Sequence, residues 1–383
     1  MLTLGELREV VANGENSAVE FKTATVHRDA LAREMVAFAN MQGGVIVLGV
    51  QDDGVCEGLP EGEQFEAWVM NLARNNVIPA IAVEYQEFLI DGKRLGVILV
   101  PRGRDKPYQT LDSKYLIRVG STNRAATQPE LLRLFQAAGT FHFDATPVAG
   151  TDIHDLNLSK VAAYFERYGL VFEDESEADK VAILTNSEIL ATNGEATVGG
   201  LLVFGLTVER NLPQAGITFA HFAGVEMGDE LLDRQSIVGP LDYQIDTGLA
   251  VIKNNWRLPT IIAGTQREPT GFVYSDKVFR ELLTNAVIHR NYAIHGSQVR
   301  VLMFDDRLEF RSPGRLPNTI TIEKLKVGVS YAVNPILVKF MENLRYTDRL
   351  GRGLPMVYRE ARQAGKAVEF KEVGEEFWVV LER

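Results

Sequence analysis

The first third of the chain alternates between short apolar runs and segments with helical spacing. In ALAREMVAFANMQ (30–42), apolar residues recur every three or four positions, which predicts an amphipathic helix after a short strand at VEFK (19–22). VIVLGV (45–50) is a continuous apolar run before a DDG turn and predicts a buried strand. The remaining predicted elements are a helix within 1–14, a helix around 63–76, strands at 81–90, 94–101 and 114–119, and a closing helix at 129–139.

The rest of the chain has a similar mixed pattern. Between 141 and 270 it predicts helices at 157–168 and 241–255, strands at GLLVFGL (200–206) and near 216–223, and an acidic surface loop at EDESEADK (173–180). From residue 275 it predicts a long helix through ELLTNAVIHR, two strands, helices at 335–344 and 353–364, and a last strand at EFWVVLE. We therefore expect a mixed α/β chain with three domains: 1–140, 141–270 and 271–383.

Composition and charge narrow the function classes. The net charge of −11 argues against a protein that coats nucleic acid with its whole surface. The single cysteine, Cys56, excludes an internal disulfide framework. No apolar run approaches the roughly 18 residues that a membrane span needs, so we expect a cytoplasmic protein without membrane contact.

A cluster of basic residues departs from the acidic average. We predict that these cations form a local face that binds nucleic acid. They are Arg102, Arg104, Lys106, Lys114, Arg118 and Arg124. The alternative interpretation is a solvated charged loop without a ligand.

Acidic residues flank the ends of the predicted N-terminal strands. Glu15 and Glu20 lie around the start of VEFK, and Asp52 follows VIVLGV. Hard cations such as Mg²⁺ or Mn²⁺ prefer oxygen ligands, so three converging carboxylates would form a metal site that acts on a phosphodiester. Lys22 would stabilise the charge that develops on the phosphate. On spacing alone, a turn cap, exposed strand positions and a plain turn explain the same residues.

One face of a predicted C-terminal helix carries polar groups suited to nucleotide chemistry. Glu281, Asn285 and His289 follow at i, i+4 and i+8, so they form one stripe. A carboxylate can activate water, and a carboxamide oxygen can bind Mg²⁺ beside a triphosphate. The same spacing is common on surface helices that bind nothing.

A glycine-rich turn downstream predicts phosphate binding. Gly351 and Gly353 precede a helix that begins near Leu354, and backbone N–H groups at a helix start favour a negative phosphate. Arg349 and Arg352 would add charge-assisted contacts. The simpler interpretation is an ordinary turn at a helix start.

The N-terminal motifs resemble one family. ENSAVEFK (15–22), AFANMQGGVIVLGVQDDG (37–54) and KYLIRVGSTNRAA (114–126) together look like the Schlafen-type, AlbA-like domain. In Schlafen-family RNases three acidic residues form the metal site for RNA cleavage, which implies Glu15, Glu20 and Asp52 here, with Asp53 as the alternative to Asp52. Many bacterial relatives are described only as DNA-binding or regulatory. A clamp made of two such modules would require a homodimer.

Residues 275–365 resemble the GHKL-type ATPase module of RecG-related bacterial proteins, through ELLTNAVIHRNY, DDRLEFRSPGRLP, VNPILVKFM and RLGRGL. The resemblance implies Glu281 as the water-activating base, Asn285 as the magnesium ligand and 326–334 as the ATP lid. The other implied nucleotide contacts are Ser312, Gly314, Gly351, Arg352, Gly353 and Leu354. The family's adenine-reading aspartate is absent from the SPG turn, so we expect Ser312, backbone groups or Asp306 to replace it.

Three functions are compatible with these residues. The first is an ATP-binding protein in which the ATPase module controls a Schlafen-like domain that binds nucleic acid and whose acidic residues would cleave RNA with Mg²⁺ or Mn²⁺. The second is an ATP-sensing DNA-binding transcriptional regulator without catalysis on nucleic acid. The third is an ATPase whose first domain contacts only protein.

Overall fold

The architecture is taken from a computed structural model. It describes residues 2–62, 64–139, 141–256, 260–263, 266–269, 274–316, 320–329, 331–347 and 351–383. Helices and several sheets alternate along the chain, so the predicted mixed α/β class is confirmed. None of the helices described in these ranges combines the length and the apolarity that a bilayer span requires.

The chain forms two compact units, Met1–Phe141 and His142–Arg383, where the sequence predicts three domains. The predicted boundary between 270 and 271 lies outside the described residues. Strands from both sides of it, at 217–222 and 299–303, pair in parallel within one sheet. Backbone pairing of strands that are distant in sequence therefore merges the two predicted C-terminal domains.

The first unit is built on a four-stranded sheet. Its elements are α1 Leu4–Asn13, β1 Val19–Lys22, α2 Arg28–Asn40, β2 Gly43–Leu48, α3 Phe65–Asn75, β3 Val77–Ile78, β4 Glu84–Ile90, β5 Lys93–Pro101, β6 Gln109–Thr110, β7 Leu116–Val119, β8 Thr122–Ala125 and α4 Gln128–Ala137. The strand order is β1-β2-β5-β4, with β1 and β2 parallel and the other pairs antiparallel. Gly43 has φ +82°, and a Cβ there would lie 2.6 Å from the Val100 carbonyl oxygen, so only glycine fits where β2 meets β5.

Strand alternation directs the N-terminal side chains to opposite faces. Val19 and Phe21 of β1 pack in the same apolar cluster as Leu7 of α1. Because successive side chains on a strand alternate, Glu20 and Lys22 point to the other face, on which α2 packs.

The second unit contains a six-stranded sheet. Its elements are α5 Leu158–Glu166, α6 Glu177–Asn186, α7 Val198–Phe204, α8 Val208–Asn211, β9 Ile217–Phe222, β10 Leu231–Ile237, α9 Leu241–Asn255, β11 Thr260–Ala263, β12 Gln266–Pro269, α10 Asp276–Ile288, β13 Val299–Met303, β14 Arg307–Pro313, α11 Ile322–Lys326, α12 Pro335–Asn343, α13 Gly353–Gln363, β15 Val368–Val373 and β16 Glu376–Glu382. The strand order is β10-β9-β13-β14-β16-β15. Apolar residues of α9 and α10 pack with those of one sheet face in a single core, which fixes α10 against β14.

Two predicted elements of this unit are wrong. Residues 200–206 are predicted as a strand, yet they lie largely in α7, where the Thr197 hydroxyl accepts a hydrogen bond from the Gly200 N–H at 2.9 Å. A short apolar run does not distinguish a buried strand from a buried helix, and every residue of α7 is buried. The predicted acidic loop at 173–180 includes the start of α6, which the Ser176 side chain caps.

Candidate functional site

The predicted polar stripe forms on α10. Asn285 Nδ2 donates a hydrogen bond to Glu281 Oε1 at 2.7 Å, so the carboxylate and the carboxamide meet one turn apart. His289 follows at the end of the helix, and burial lowers the pKa of its imidazole to about 4. The imidazole is therefore neutral at pH 7 and adds no charge to this surface.

A cavity of about 340 Å³ opens beside this stripe. Its volume falls within the roughly 300–1,000 Å³ that is typical of small-molecule sites. Residues of α10, β14, β16, the 326–334 segment and α13 form its walls. The eight residues predicted as nucleotide contacts that line it are Glu281, Asn285, His289, Ser312, Gly314, Gly351, Gly353 and Leu354.

The Ser312–Gly314 turn closes one part of the cavity. Ser312 Oγ donates to the Ala286 carbonyl oxygen at 2.7 Å, which commits the hydroxyl proton and leaves the oxygen lone pairs as acceptors. Gly314 has φ +123°, and a Cβ there would lie 2.9 Å from Cβ of Asn291. This position therefore requires glycine. Apolar lining residues include Phe310 and Val379, which suit a flat aromatic base.

The glycine-rich turn contacts both the carboxylate and the predicted lid. A Cβ on Gly353 would lie 1.6 Å from Glu281 Oε1, so the backbone at the start of α13 lies against this carboxylate. Gly351 has φ +65°, and a Cβ there would lie 1.9 Å from the Gly328 carbonyl oxygen. The described part of the 326–334 segment thus packs on the glycine-rich turn, and Gly328, Val329 and Tyr331 line the cavity.

The helix that follows the predicted lid is held by a buried carboxylate. Asp144 Oδ2 accepts hydrogen bonds from the backbone N–H groups of Ile336, at 2.7 Å, and Leu337, at 3.1 Å, in the first turn of α12. Its other oxygen has no hydrogen-bond partner in the described parts of the chain. Burial, only partly offset by the two backbone hydrogen bonds, raises the pKa of Asp144 to about 6.

Two predicted nucleotide contacts do not line the cavity. Asp306 lies in the turn before β14 and pairs with Arg307 at 2.8 Å. It precedes Ser312 by six residues along an extended strand, about 20 Å, so it does not replace the missing adenine-reading aspartate. Arg352 precedes the first residue of α13 and is exposed. Arg349 lies outside the described residues.

The donor atoms at the cavity fit a magnesium–triphosphate group. The Asn285 amide nitrogen is used by Glu281, so its oxygen is the atom left for a cation, and hard cations prefer oxygen. Gly351 and Gly353 bring backbone close to the same part of the cavity without Cβ atoms in the way.

The carboxylates predicted to hold a metal in the first unit do not lie together in this structure. Across the parts of the chain that the structure describes, no group of three or more His, Cys, Asp or Glu side chains is arranged to hold a metal ion. Glu15 accepts a hydrogen bond from the Phe21 N–H at 2.8 Å, at the open edge of β1. Asp52 lies exposed in the turn after β2, and Asp53 is exposed beside it.

Glu20 instead belongs to a buried cluster of opposite charges. Its carboxylate pairs with Arg118 at 2.6 Å and with Lys22. Glu34 of α2 joins them, 3.3 Å from Arg118 and 3.8 Å from Lys22. Burial together with the charge of Glu20 raises the pKa of Glu34. For Lys22, burial alone would lower the pKa, but the hydrogen bond to Glu20 and the neighbouring carboxylates outweigh it and raise the pKa. A metal would have to displace both cations.

Sequence reasoning missed Glu34, although a signal exists. Glu34 lies three residues after Leu31 and four before Phe38, on the apolar stripe of the predicted helix at 30–42. A charge on a buried stripe indicates a buried partner, because an unpaired charge there is costly.

Two of the predicted nucleic-acid contacts are buried and support the fold. Arg118 Nη2 donates to the carbonyl oxygens of Asn16, at 2.8 Å, and Val19, at 3.0 Å, and the guanidinium lies 4.8 Å from the centre of the Phe38 ring. Lys106 Nζ donates to the Met41 carbonyl oxygen at 2.8 Å. Buried backbone carbonyls need donors, which is why these cations face inward.

The other four cations predicted to contact nucleic acid lie nearer the surface, and two of them are paired with acidic side chains. Lys114 pairs with Asp112 at 2.7 Å, and Arg124 pairs with Glu130 at 2.7 Å. Arg104 is exposed and Arg102 half-buried. The predicted basic face is therefore smaller than the sequence indicates.

Comparison with known proteins identifies both modules. Residues 15–127 match the family described as "Schlafen, AlbA_2", and residues 296–381 match the one described as "Putative ATP-dependent DNA helicase recG C-terminal". The predicted resemblance is thus confirmed: a Schlafen AlbA_2 domain is followed by a RecG-related, ATPase-like domain. Together they define a nucleic-acid-related, ATPase-like architecture. The second match begins after α10, so the roles of Glu281 and Asn285 rest on the geometry above.

Two bacterial proteins are among the solved structures that match this chain. The DIP2311 protein from Corynebacterium diphtheriae is 19% identical over 99% of this chain and 80% of its own, with a TM-score of 0.47. The N-terminal domain of a putative ATP-dependent DNA helicase RecG-related protein from Nitrosomonas europaea is 24% identical over 33% of this chain and 95% of its own, with a TM-score of 0.26. A search of curated proteins finds no match for the chain.

Proposed function

We propose that this protein binds ATP with Mg²⁺ in the cavity beside α10 and acts on nucleic acid through its Schlafen-like domain. The observation that supports it most is that eight residues predicted as nucleotide contacts line one cavity. They come from three regions of the chain, around 281–289, 312–314 and 351–354.

Each part of the cavity has a role in this proposal. The apolar walls hold the adenine ring, and the Ser312 oxygen accepts a hydrogen bond from its amino group. The backbone at Gly351 and Gly353 receives the phosphates, and the Asn285 oxygen holds Mg²⁺, which would neutralise phosphate charge. Glu281 takes the proton of the attacking water, and its hydrogen bond to Asn285 fixes the carboxylate for that transfer.

For the first unit we propose binding to nucleic acid without cleavage. Its buried carboxylates are already paired with Arg118 and Lys22, which supports a structural role for Glu20 and Glu34. The ATP-sensing DNA-binding transcriptional regulator is therefore favoured over the metal-dependent RNase, and nucleotide in the cavity would set the state of the regulator.

The nucleotide site can be tested with Glu281→Gln. Glutamine keeps an oxygen that accepts from Asn285 but removes the base, so Mg–ATP binding should persist while turnover falls by about 10²-fold or more. Calorimetry measures Mg–ATP binding, and the rate of phosphate release measures turnover. The matched control is Glu173→Gln, which changes an exposed glutamate. If Glu281→Gln turned over ATP as fast as the wild type, Glu281 would not be the general base. If the wild type did not bind ATP even at millimolar concentration, the cavity would not be an ATP site.

The binding role of the first unit can be tested with structured RNA, duplex DNA and Mn²⁺. We expect a gel shift with intact nucleic acid for both the wild type and Glu15→Gln, because the glutamine oxygen still accepts the Phe21 N–H. Cleavage by the wild type that Glu15→Gln abolishes would instead establish the RNase.

A further inference from the structure

A second basic region lies in the ATPase-like unit. Residues 322–366 contain nine cations: Lys324, Lys326, Lys339, Arg345, Arg349, Arg352, Arg359, Arg362 and Lys366. The four anions of the same range are Glu323, Glu342, Asp348 and Glu360. The range thus has a net charge of +5 (9 − 4), whereas the rest of the chain has −16 (−11 − 5). Lys339 and Lys366 pair with Glu188 and Glu382 outside this range, so the net positive charge of the region rests on its other cations.

On α13 the cations share the outer face. Arg359 and Arg362 are three residues apart, Tyr358 precedes Arg362 by four, and all three side chains are exposed. Val357 and Ala361 are buried on the opposite side, so the helix is strictly two-sided. Two arginines and a tyrosine therefore face solvent together.

The neighbouring helix α11 extends this face. Lys326 Nζ lies 5.8 Å from the centre of the Tyr358 ring, which brings the end of α11 beside α13. The next residues expose apolar side chains, Val327 at 77% and Val329 at 43%. Cations interleaved with an aromatic ring and apolar groups are typical of surfaces that bind single-stranded nucleic acid, where phosphates pair with the charges and bases stack.

The two arginines of this face are not neutralised, because within the ranges that the structure describes Arg359 and Arg362 take part in no ion pair. Lys326 forms no close ion pair there either, although it interacts electrostatically with Glu323 on the same helix. This contrasts with Lys114 and Arg124 of the first unit, which pair with acids. Unpaired positive charge on a protein favours binding of a nucleic acid, because the protein cations replace the counterions condensed on its phosphates.

The inner sides of the same elements line the nucleotide cavity. Leu325 of α11 and the adjacent Gly328 face it, as do Gly353 and Leu354 of α13. A nucleotide would thus contact one side of the two helices whose other side presents the cations. Any shift of the 326–334 segment against Gly351 changes the spacing between Lys326 and the α13 arginines.

We propose that the outer face of α11 and α13, formed by Lys326, Tyr358, Arg359 and Arg362, is a second nucleic-acid contact that binds single strands, with an affinity set by the nucleotide beneath it. The proposal rests on the proposed function and adds a site in the ATPase-like unit.

The test compares the full-length wild type with Arg359→Gln/Arg362→Gln. The matched control is Arg210→Gln/Arg234→Gln, which removes two exposed, unpaired arginines elsewhere in the same unit. Fluorescence anisotropy with a labelled 20-nucleotide single strand, as DNA and as RNA, is measured over a KCl series. Because each phosphate contact on a single strand contributes about 0.7 to the salt slope, the test variant should lose about 1.4 in slope and bind about tenfold to thirtyfold more weakly at about 0.1 M KCl.

The remaining outcomes each decide the question. If the affinity and salt slope of the test variant equal those of the control variant, the proposed surface does not contact nucleic acid. The proposed function would remain, since the wild type would still bind both ATP and the single strand. A wild type that binds ATP but no single strand overturns it as well. Addition of Mg–ATP should change the affinity of the wild type at least threefold and that of the test variant less. If the variant alters only self-association in light scattering, the surface is a contact between copies of this chain.

Discussion

The contact between Gly353 and Glu281 offers a way to move the proposed base without altering it. In Gly353→Ala the new Cβ would start 1.6 Å from Glu281 Oε1. An unstrained carbon–oxygen contact needs about 3.3 Å, so the carboxylate must retreat by about 1.7 Å. The 2.7 Å hydrogen bond from Asn285 cannot survive that shift. Because a misplacement of about 1 Å can cost about 10²-fold in rate, we expect turnover to fall by at least that factor.

The same substitution should leave the fold intact. Gly353 is the first residue of α13 and alanine favours helix by up to about 1 kcal/mol, which offsets the loss of one hydrogen bond of similar size, so the free energy of unfolding should change by no more than about 1 kcal/mol in either direction. A large kinetic loss at unchanged stability would separate the local clash from unfolding. Gly296→Ala is the control, since a Cβ there meets nothing within 4 Å.

The assay measures phosphate release under saturating Mg–ATP, ATP affinity by calorimetry and stability by urea unfolding. We expect Gly353→Ala to resemble Glu281→Gln in turnover at saturating Mg–ATP. Because Gly353 also belongs to the proposed phosphate-binding backbone, its ATP affinity should fall as well. Turnover of Gly353→Ala equal to that of Gly296→Ala would refute the reasoning, because it would show that the carboxylate at this position is not needed.

Three further predictions concern stability. The pKa of His289 is lowered from 6.5 to about 4, so the unfolded chain binds its proton first and stability falls as the pH drops through that window, by about 3 kcal/mol; His289→Phe should remove this loss. The pKa of Asp144 is raised from 3.8 to about 6, so the folded chain binds its proton first and gains about 3 kcal/mol over the same acidification; Asp144→Asn should lose this gain. Urea unfolding between pH 7 and pH 4 should therefore show the two variants diverging from the wild type in opposite directions, and parallel curves would contradict both pKa shifts. Arg118→Ala should cost about 3–5 kcal/mol, because it removes one of the two cations paired with buried Glu20 and the donor to the Asn16 and Val19 carbonyl oxygens. Arg118→Lys should not restore this stability, since lysine lacks the planar fork of donors. Stability equal to that of Arg104→Ala would disprove the buried role.

Local patterns in the sequence, together with the family resemblance, identified most residues that line the cavity beside α10. The i, i+4 spacing of Glu281 and Asn285 predicted their contact, because a helix brings such residues together whatever surrounds it. Gly351 and Gly353 were recognisable because a close backbone approach restricts the residue type. Thus the sequence alone determined the mixed α/β class, the two family resemblances and the polar stripe on α10.

The tertiary structure decided what surrounds each of these groups. Glu20 and Asp52 are both acidic near strand ends, yet Glu20 is buried against Arg118 while Asp52 is exposed, and no local pattern specifies that partner 98 positions away along the chain. Arg118 and Arg359 are equally basic in sequence, but one holds backbone carbonyls and the other faces solvent. Burial and pairing depend on contacts between distant segments, whereas periodicity reports only on neighbours, so the chain's chemistry could be proposed from the sequence and its arrangement only from the fold.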